Sequence, residues 1–237
     1  RTPVNFPYTN DFDDTFAARY GYHIEDRLPE LIWNRENGKL SQARYHYHDH
    51  VCERFVEAFS DTIGAWCQRH GIVFTGHVFW EDNLYLQTRA VGETMRFYRS
   101  FQIPGVDMLR DDHFFVTLKQ CQSVARQKGS AGIMSELYGV TNWHFDFKGY
   151  KIQGDWQAAL GVSFRVPHLS LVSMEGEAKR DFPSSFNYQA PWKEEYPLIA
   201  DHFARVNTAM TRGKPDVRVG VVHPIESYWV NWGVNTQ

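Results

Sequence analysis

The sequence predicts an α/β fold made of parallel βα repeats, either an open sheet or one half of an eightfold barrel. Three observations carry this prediction. Short apolar runs without alternation follow amphipathic helical stretches, as strands covered on both faces do. A polar residue ends each run. The ends are evenly spaced: His77 to Asp107 is 30 residues, Asp107 to Glu136 is 29 and Glu136 to His168 is 32, close to the roughly 31 per unit of a (β/α)8 barrel.

Residues 1–14 read as loop, with Pro3, Pro7, Asn10 and Asp11 as turn formers. Phe16–Tyr20 reads as a short helical turn closed by Gly21, and Leu28–Trp33 is an apolar piece beginning around Pro29. From Val51 to His70, apolar residues recur at intervals of three and four, the mark of an amphipathic helix, and Gly71 stops it. Ile72–Thr75 is then the first strand, with Gly76 and His77 opening its loop. Met95–Phe101 reads as a helix, Ile103–Val106 as the second strand and Asp107 as its end. The helix Phe115–Arg126 leads into the third strand, Gly132–Ser135, which Glu136 ends. A helix closing over Asp155–Leu160 precedes the fourth strand, Val162–Val166, followed by Pro167 and His168. Glu194–Thr211 reads as a long helix, and Val217–Val222 as a strand ending at His223 and Pro224. The 55-residue gap from His168 to His223 breaks the repeat. It divides the chain into a catalytic barrel portion, 1–190, and a last barrel helix with the start of a following domain, 191–237.

Composition narrows the function. A net charge of -3, with no basic run interleaved with aromatics, argues against nucleic acid. No apolar run reaches the eighteen or so residues of a membrane span, so a soluble protein is expected. Residue 1 is Arg, which reads as a processing product or a cut through something larger. Cys52, Cys67 and Cys121 lack metal-ligand spacing. Cys52 and Cys67 lie roughly 22 Å apart along one helix, too far for a disulfide, so all three read as buried thiols. The 16% aromatic content stands out. Rings near strand ends would suit a sugar, whose faces stack on them.

The candidate working centre is Gly132–Trp143. In parallel sheets, ligands sit at the carboxyl ends of the strands, which places Glu136 at the mouth. Glu136 is the candidate general base or nucleophile, with Asp107 or Glu81 as its partner acid. The plain alternative for Glu136 is a strand-end carboxylate holding a loop. His77 and His168 are candidates for binding sugar hydroxyls, Tyr138 and Trp143 for stacking, and Arg180, beside Lys179 and Asp181, for substrate binding. Core packing, backbone-satisfied histidines and a solvated charged loop are their plain readings. The run His46-Tyr-His-Asp-His50 has an i, i+4 histidine pair but lacks the Glu of a zinc protease. Phosphate loops are absent, and Gly129-Ser130 precedes its strand, which argues against a hydrolase elbow.

Several segments carry a family likeness: Trp66–His77, Ile103–Asp107, Ser135–Gly139, Gly176–Ser184 and Val217–Trp229. Across nearly its whole length the chain resembles the C-terminal half of the catalytic barrel of glycoside hydrolase family 106, the α-L-rhamnosidases, and bacterial relatives. The resemblance implies about the second half of a TIM-type (β/α)8 barrel leading into a following α/β domain. It makes the four strands the fifth to eighth, with Glu136 ending the seventh. A second catalytic carboxylate on the fourth strand would then precede Arg1. The resemblance further implies inversion, calcium as a cofactor, an oligosaccharide or polysaccharide substrate, and a bacterial cytoplasmic, periplasmic or secreted location. A half-barrel has open edges, to be covered by another copy in a homo-oligomer or by the remainder of a longer chain. Two other functions fit the same residues. One is a metal-dependent barrel hydrolase with His77, Asp107, His168 and His223 as ligands and Glu136 activating water. The other is a sugar-binding remnant without a second carboxylate.

Overall fold

The computed structural model describes residues 5–180, 182–183 and 186–233. Helix α1 (Phe12–Tyr20) has Asp13 and Asp14 in its first turn and ends at Gly21, whose φ of 80° suits a residue without a Cβ. A tight helical turn over Ile24–Leu31 follows. The helix expected over 51–70 starts earlier: α2 spans Gln42–Val56, a wider turn covers Glu57–Asp61, and α3 continues over Thr62–Arg69. Ser41 caps α2 through its Oγ, which accepts the Arg44 N–H at 3.4 Å. The early turns of α2 bury Ala43 and Tyr47 together with Arg44, His48, Asp49 and His50. Apolar periodicity alone cannot register so polar a face.

Four parallel strands are present, but the first, expected as a buried run over Ile72–Thr75, is only two residues long and starts at Thr75, with Ile72 and Val73 exposed before it. They are β1 (Thr75–Gly76), followed by α4 (Leu84–Ala90) and α5 (Thr94–Tyr98); β2 (Ile103–Met108), followed by α6 (Phe115–Lys128); β3 (Ile133–Leu137), followed by α7 (Phe147–Ala159); and β4 (Val162–Pro167). The sheet order is β1-β2-β3-β4, which is compatible with part of a barrel. Asn83 caps α4 and Asp146 caps α7, accepting the N–H groups of Leu86 and Gly149. Neighbouring strands approach closely at Gly105, where a Cβ would meet the Gly76 carbonyl oxygen at 2.6 Å. In register, Asp107 faces Glu136, and Glu136 faces Val166. These residues therefore share one face of the sheet with Met134 and Phe164. Phe164 and Val166 are exposed there, next to the open edge of β4.

Helix α8 (Pro197–Met210) packs on α7, and Phe203 and Ile199 form a core there with Leu137, Tyr138, Phe145 and Tyr150. The expected strand over 217–222 is not formed. Its alternating valines have the pattern of a half-buried strand, but no strand among the described residues pairs with them, and Val219, Val221 and Val222 are exposed. Instead the chain returns as α9 (Ile225–Asn231), whose Ile225 and Trp229 enter the main core with Cys52, Val106 and Leu118. All three cysteines are free and buried, as expected.

Arg96 ties the helices together. Its guanidinium contacts Asp49 at 2.6 Å and Glu53 at 2.8 Å on α2, Glu93 at 3.1 Å, and Glu226 at 3.2 Å on α9. It also lies 5.1 Å from the Trp229 ring centroid. Removing one partner of a buried ion pair strands the rest, at a cost of about 3–5 kcal/mol. Arg96→Met should therefore lower the unfolding free energy by about 3 kcal/mol, the lower end of that range because Glu226 is exposed. Arg218→Ala, at an exposed pair, should change it by less than about 0.5 kcal/mol. Chemical denaturation of the two variants checks both.

Candidate active site at the strand ends

Three groups converge at the carboxyl ends of β1, β2 and β3. One ligand atom from each of His77, Asp107 and Glu136 lies within 4.8 Å of the other two. His77 follows β1, and its Nε2 is 2.8 Å from Glu136 Oε2. Its Nδ1 is 2.8 Å from the Val78 carbonyl oxygen. A carbonyl only accepts, so Nδ1 carries a proton. Nε2 then faces a carboxylate, and either His77 is an imidazolium or Glu136 holds the shared proton. Burial opposes the charge on His77, yet the Val78 carbonyl and the negative fields of Glu81, Asp107 and Glu136 hold its pKa above the ordinary value. Burial raises the pKa of Asp107, and Glu136 adds to the rise; His77, the Leu109 N–H and His168 oppose it.

Glu81 was expected at the mouth as a partner acid. It lies beneath it instead, 2% exposed. Its Oε1 accepts from the Tyr98 hydroxyl at 2.8 Å and the Val78 N–H at 3.1 Å, and its Oε2 accepts from the Asp107 N–H at 3.1 Å. Burial pushes its pKa up to about 8 against these hydrogen bonds and the charge of His77. Glu81 supports the site and has no face for substrate. Tyr98, Gln87 and Gln120, which hold it and its backbone carbonyl, were missed by sequence reasoning. Hydropathy gives no sign that a buried acid needs donors there.

Tyr138 also needs correction. It is 1% exposed in the core against α7 and α8, so neither ring face is open to a sugar. Its φ of 77° turns it away from the mouth. Trp143 lies half-exposed in the β3–α7 loop. His168 ends β4, and its N–H donates to the Leu137 carbonyl at 2.9 Å. Its ring lies over Gly139, where a Cβ would come within 2.8 Å of Nδ1. Arg180 is exposed and pairs with Glu177 at 3.1 Å. The Lys179 side chain and Asp181 lie outside the described residues. Backbone hydrogen bonds tie the loops together: the Arg110 N–H donates to the Gly139 carbonyl at 2.7 Å and the Thr141 N–H to the Pro183 carbonyl at 2.8 Å.

Calcium takes about six to eight oxygen ligands. The cluster offers two carboxylates and an imidazole nitrogen, so it does not fit calcium and better suits an ion that accepts nitrogen. His223, half-buried ahead of α9, is not part of it. His46 and His50 do not form a metal cluster among the described residues. His46 meets the Tyr22 hydroxyl and His50 meets Thr15 Oγ1, each at 3.0 Å.

No family model and no curated protein matches the chain. Among solved structures, it is similar to a rhamnosidase from Novosphingobium sp. PP1Y, with a TM-score of 0.66 and 20% identity over 87% of this chain and 21% of that one. The fold is thus rhamnosidase-like, and the chain spans about a fifth of that protein's length. Among the described residues, no helix is long and apolar enough to cross a membrane.

Glu81 gives the protein a pH signature. A carboxyl whose folded pKa, about 8, exceeds its ordinary 4.5 binds more protons folded than unfolded between those values. Its contribution to stability is complete below about 4.5 and is lost as pH rises towards 8. Thermal melts should show stability falling across that window, and Glu81→Gln should flatten the slope.

Proposed function

We propose that the chain carries the catalytic strand ends of a glycoside hydrolase, of the α-L-rhamnosidase type that the family 106 resemblance implies, acting on plant or microbial oligosaccharides or polysaccharides. The observation that carries this reading is the meeting of Glu136, His77 and Asp107 at the carboxyl ends of parallel strands in a rhamnosidase-like fold. Glu136 acts as general base or nucleophile, oriented by the His77 Nε2 hydrogen bond. Asp107, with its raised pKa, is the in-chain proton donor. One oxygen of each lies within 4.8 Å of the other, nearer to the roughly 5 Å between the carboxyl groups of a retaining pair than to the roughly 6.5–9.5 Å of an inverting one. This pair alone therefore suits retention, and inversion requires a carboxylate from elsewhere, such as the fourth barrel strand. The open edges of β1 and β4 are to be covered by another copy or by the remainder of a longer chain.

A metal-dependent hydrolase is the second reading. It is favoured by the proton fixed on His77 Nδ1, which leaves Nε2 as the ligand atom, the arrangement typical of metal-bound histidine. One experiment separates the two: hydrolysis of an aryl glycoside panel, α-L-rhamnoside included, by the native protein and Glu136→Gln, with and without chelator. The hydrolase reading expects turnover that survives chelation and falls by about 10²–10⁴ in Glu136→Gln. Loss on chelation, restored by zinc, would favour the metal. Turnover unchanged in Glu136→Gln would contradict both.

A further inference from the structure

The loop that follows His77 displays two aromatic rings. Phe79 is 58% exposed and Trp80 is 38% exposed. They stack with centroids 4.7 Å apart at 22°, and the Arg89 guanidinium lies 5.7 Å from the centre of the Trp80 ring. On apolar grounds alone, such a pair belongs in a core. Here the chain on both sides is buried while the rings are not: Val78 is 6% exposed and Glu81 is 2% exposed.

The display is built in. The Glu81 carboxylate accepts the Val78 N–H, closing the backbone around residues 79 and 80 into a tight turn. The Glu81 carbonyl is itself held by Gln87 and Gln120. Trp80 sits at φ 61°, a left-handed conformation unfavourable for a bulky side chain. Hydrogen bonds to Val78 and Glu81 thus hold the backbone on both sides of the two rings.

Position and size point to the occupant. Trp80 is the third residue after His77, so their Cα atoms lie within about 11 Å, and His77 touches Glu136. The exposed fractions of two aromatic side chains amount to roughly 200 Å², a quarter of the roughly 800 Å² per partner of a stable protein interface. That area is too small for a protein and suits the apolar face of one sugar ring, with Arg89 as a hydrogen-bonding rim. We infer that Phe79 and Trp80 form a stacking platform for the sugar next to the scissile linkage, so that the site selects oligosaccharides over monosaccharides. This rests on the glycosidase reading above. Phe79 has the larger open face, because Trp80 is covered by Phe79 and carries Arg89.

The test is calorimetric titration of the Glu136→Gln protein with α-L-rhamnose-terminated oligosaccharides and with free L-rhamnose, repeated with Phe79→Ala and Trp80→Ala added, and with Phe79→Tyr added. Loss of the platform should weaken oligosaccharide binding at least about tenfold and leave L-rhamnose binding within about twofold. Phe79→Tyr, which keeps a ring, should retain oligosaccharide affinity. Unchanged oligosaccharide affinity without the rings, equal loss for both ligands, or no oligosaccharide binding at all would overturn the platform. Platform-dependent binding by a native protein that cleaves no glycoside would keep the platform and overturn the hydrolase reading.

Discussion

The carboxyl group of Glu81 is the hub on which the mouth of the sheet depends. It joins three separate pieces of chain: the turn after β1 through Val78, the end of β2 through Asp107, and α5 through Tyr98. β1 pairs with β2 over only two residues, too short a ladder to fix the direction of the following loop by itself. Glu81 supplies the missing constraint. Burying an acid is unfavourable, which its raised pKa records. Two backbone N–H groups and a hydroxyl offset part of that cost and hold His77 where its Nε2 meets Glu136.

Parallel pairing supplies the other half of the arrangement. Because Asp107 and Glu136 are directly opposed on adjacent strands, their side chains must leave the same face of the sheet. Two full charges within 4.8 Å of each other repel by at least about 3.5 kcal/mol at an effective dielectric of ~20. A protonated His77 at 2.8 Å returns about 6 kcal/mol on the same scale. Burial works against a charge on His77, and the Val78 carbonyl on Nδ1, the fields of Glu81 and Asp107 and this attraction to Glu136 together hold its pKa above the ordinary value. A cluster with one cation between two acids can hold or release a proton at small cost, which general acid–base chemistry requires.

Much of this was legible in the sequence. Four apolar runs at near-constant spacing were enough to order β1 to β4 and to place His77, Asp107, Glu136 and His168 at or just past their carboxyl ends, although Ile72 and Val73 ahead of β1 and Phe164 and Val166 in β4 are exposed rather than buried. What failed depended on the direction of a side chain or on a partner far along the chain. Tyr138 and Glu136 lie two residues apart, and only the left-handed turn at Tyr138 sends its ring into the α7–α8 core. Glu81 reads as a partner acid at the mouth until Tyr98 and the Asp107 N–H are brought to it. The valines at 217–222 have a strand's alternation, but a strand forms only where another is available to pair with it. The aromatic doublet Phe79-Trp80, one residue beyond the strand-end His77, is a signal the sequence also carries. The N-terminal turns of α2 were lost because their buried face is made of histidine, aspartate and arginine.

The most direct test of the site is the titration of His77 followed by NMR in the native protein and in Asp107→Asn. A charged His77 between two carboxylates predicts a pKa above 6.5 that falls when Asp107 loses its charge. A pKa at or below 6.5, or one that Asp107→Asn leaves in place, would contradict it.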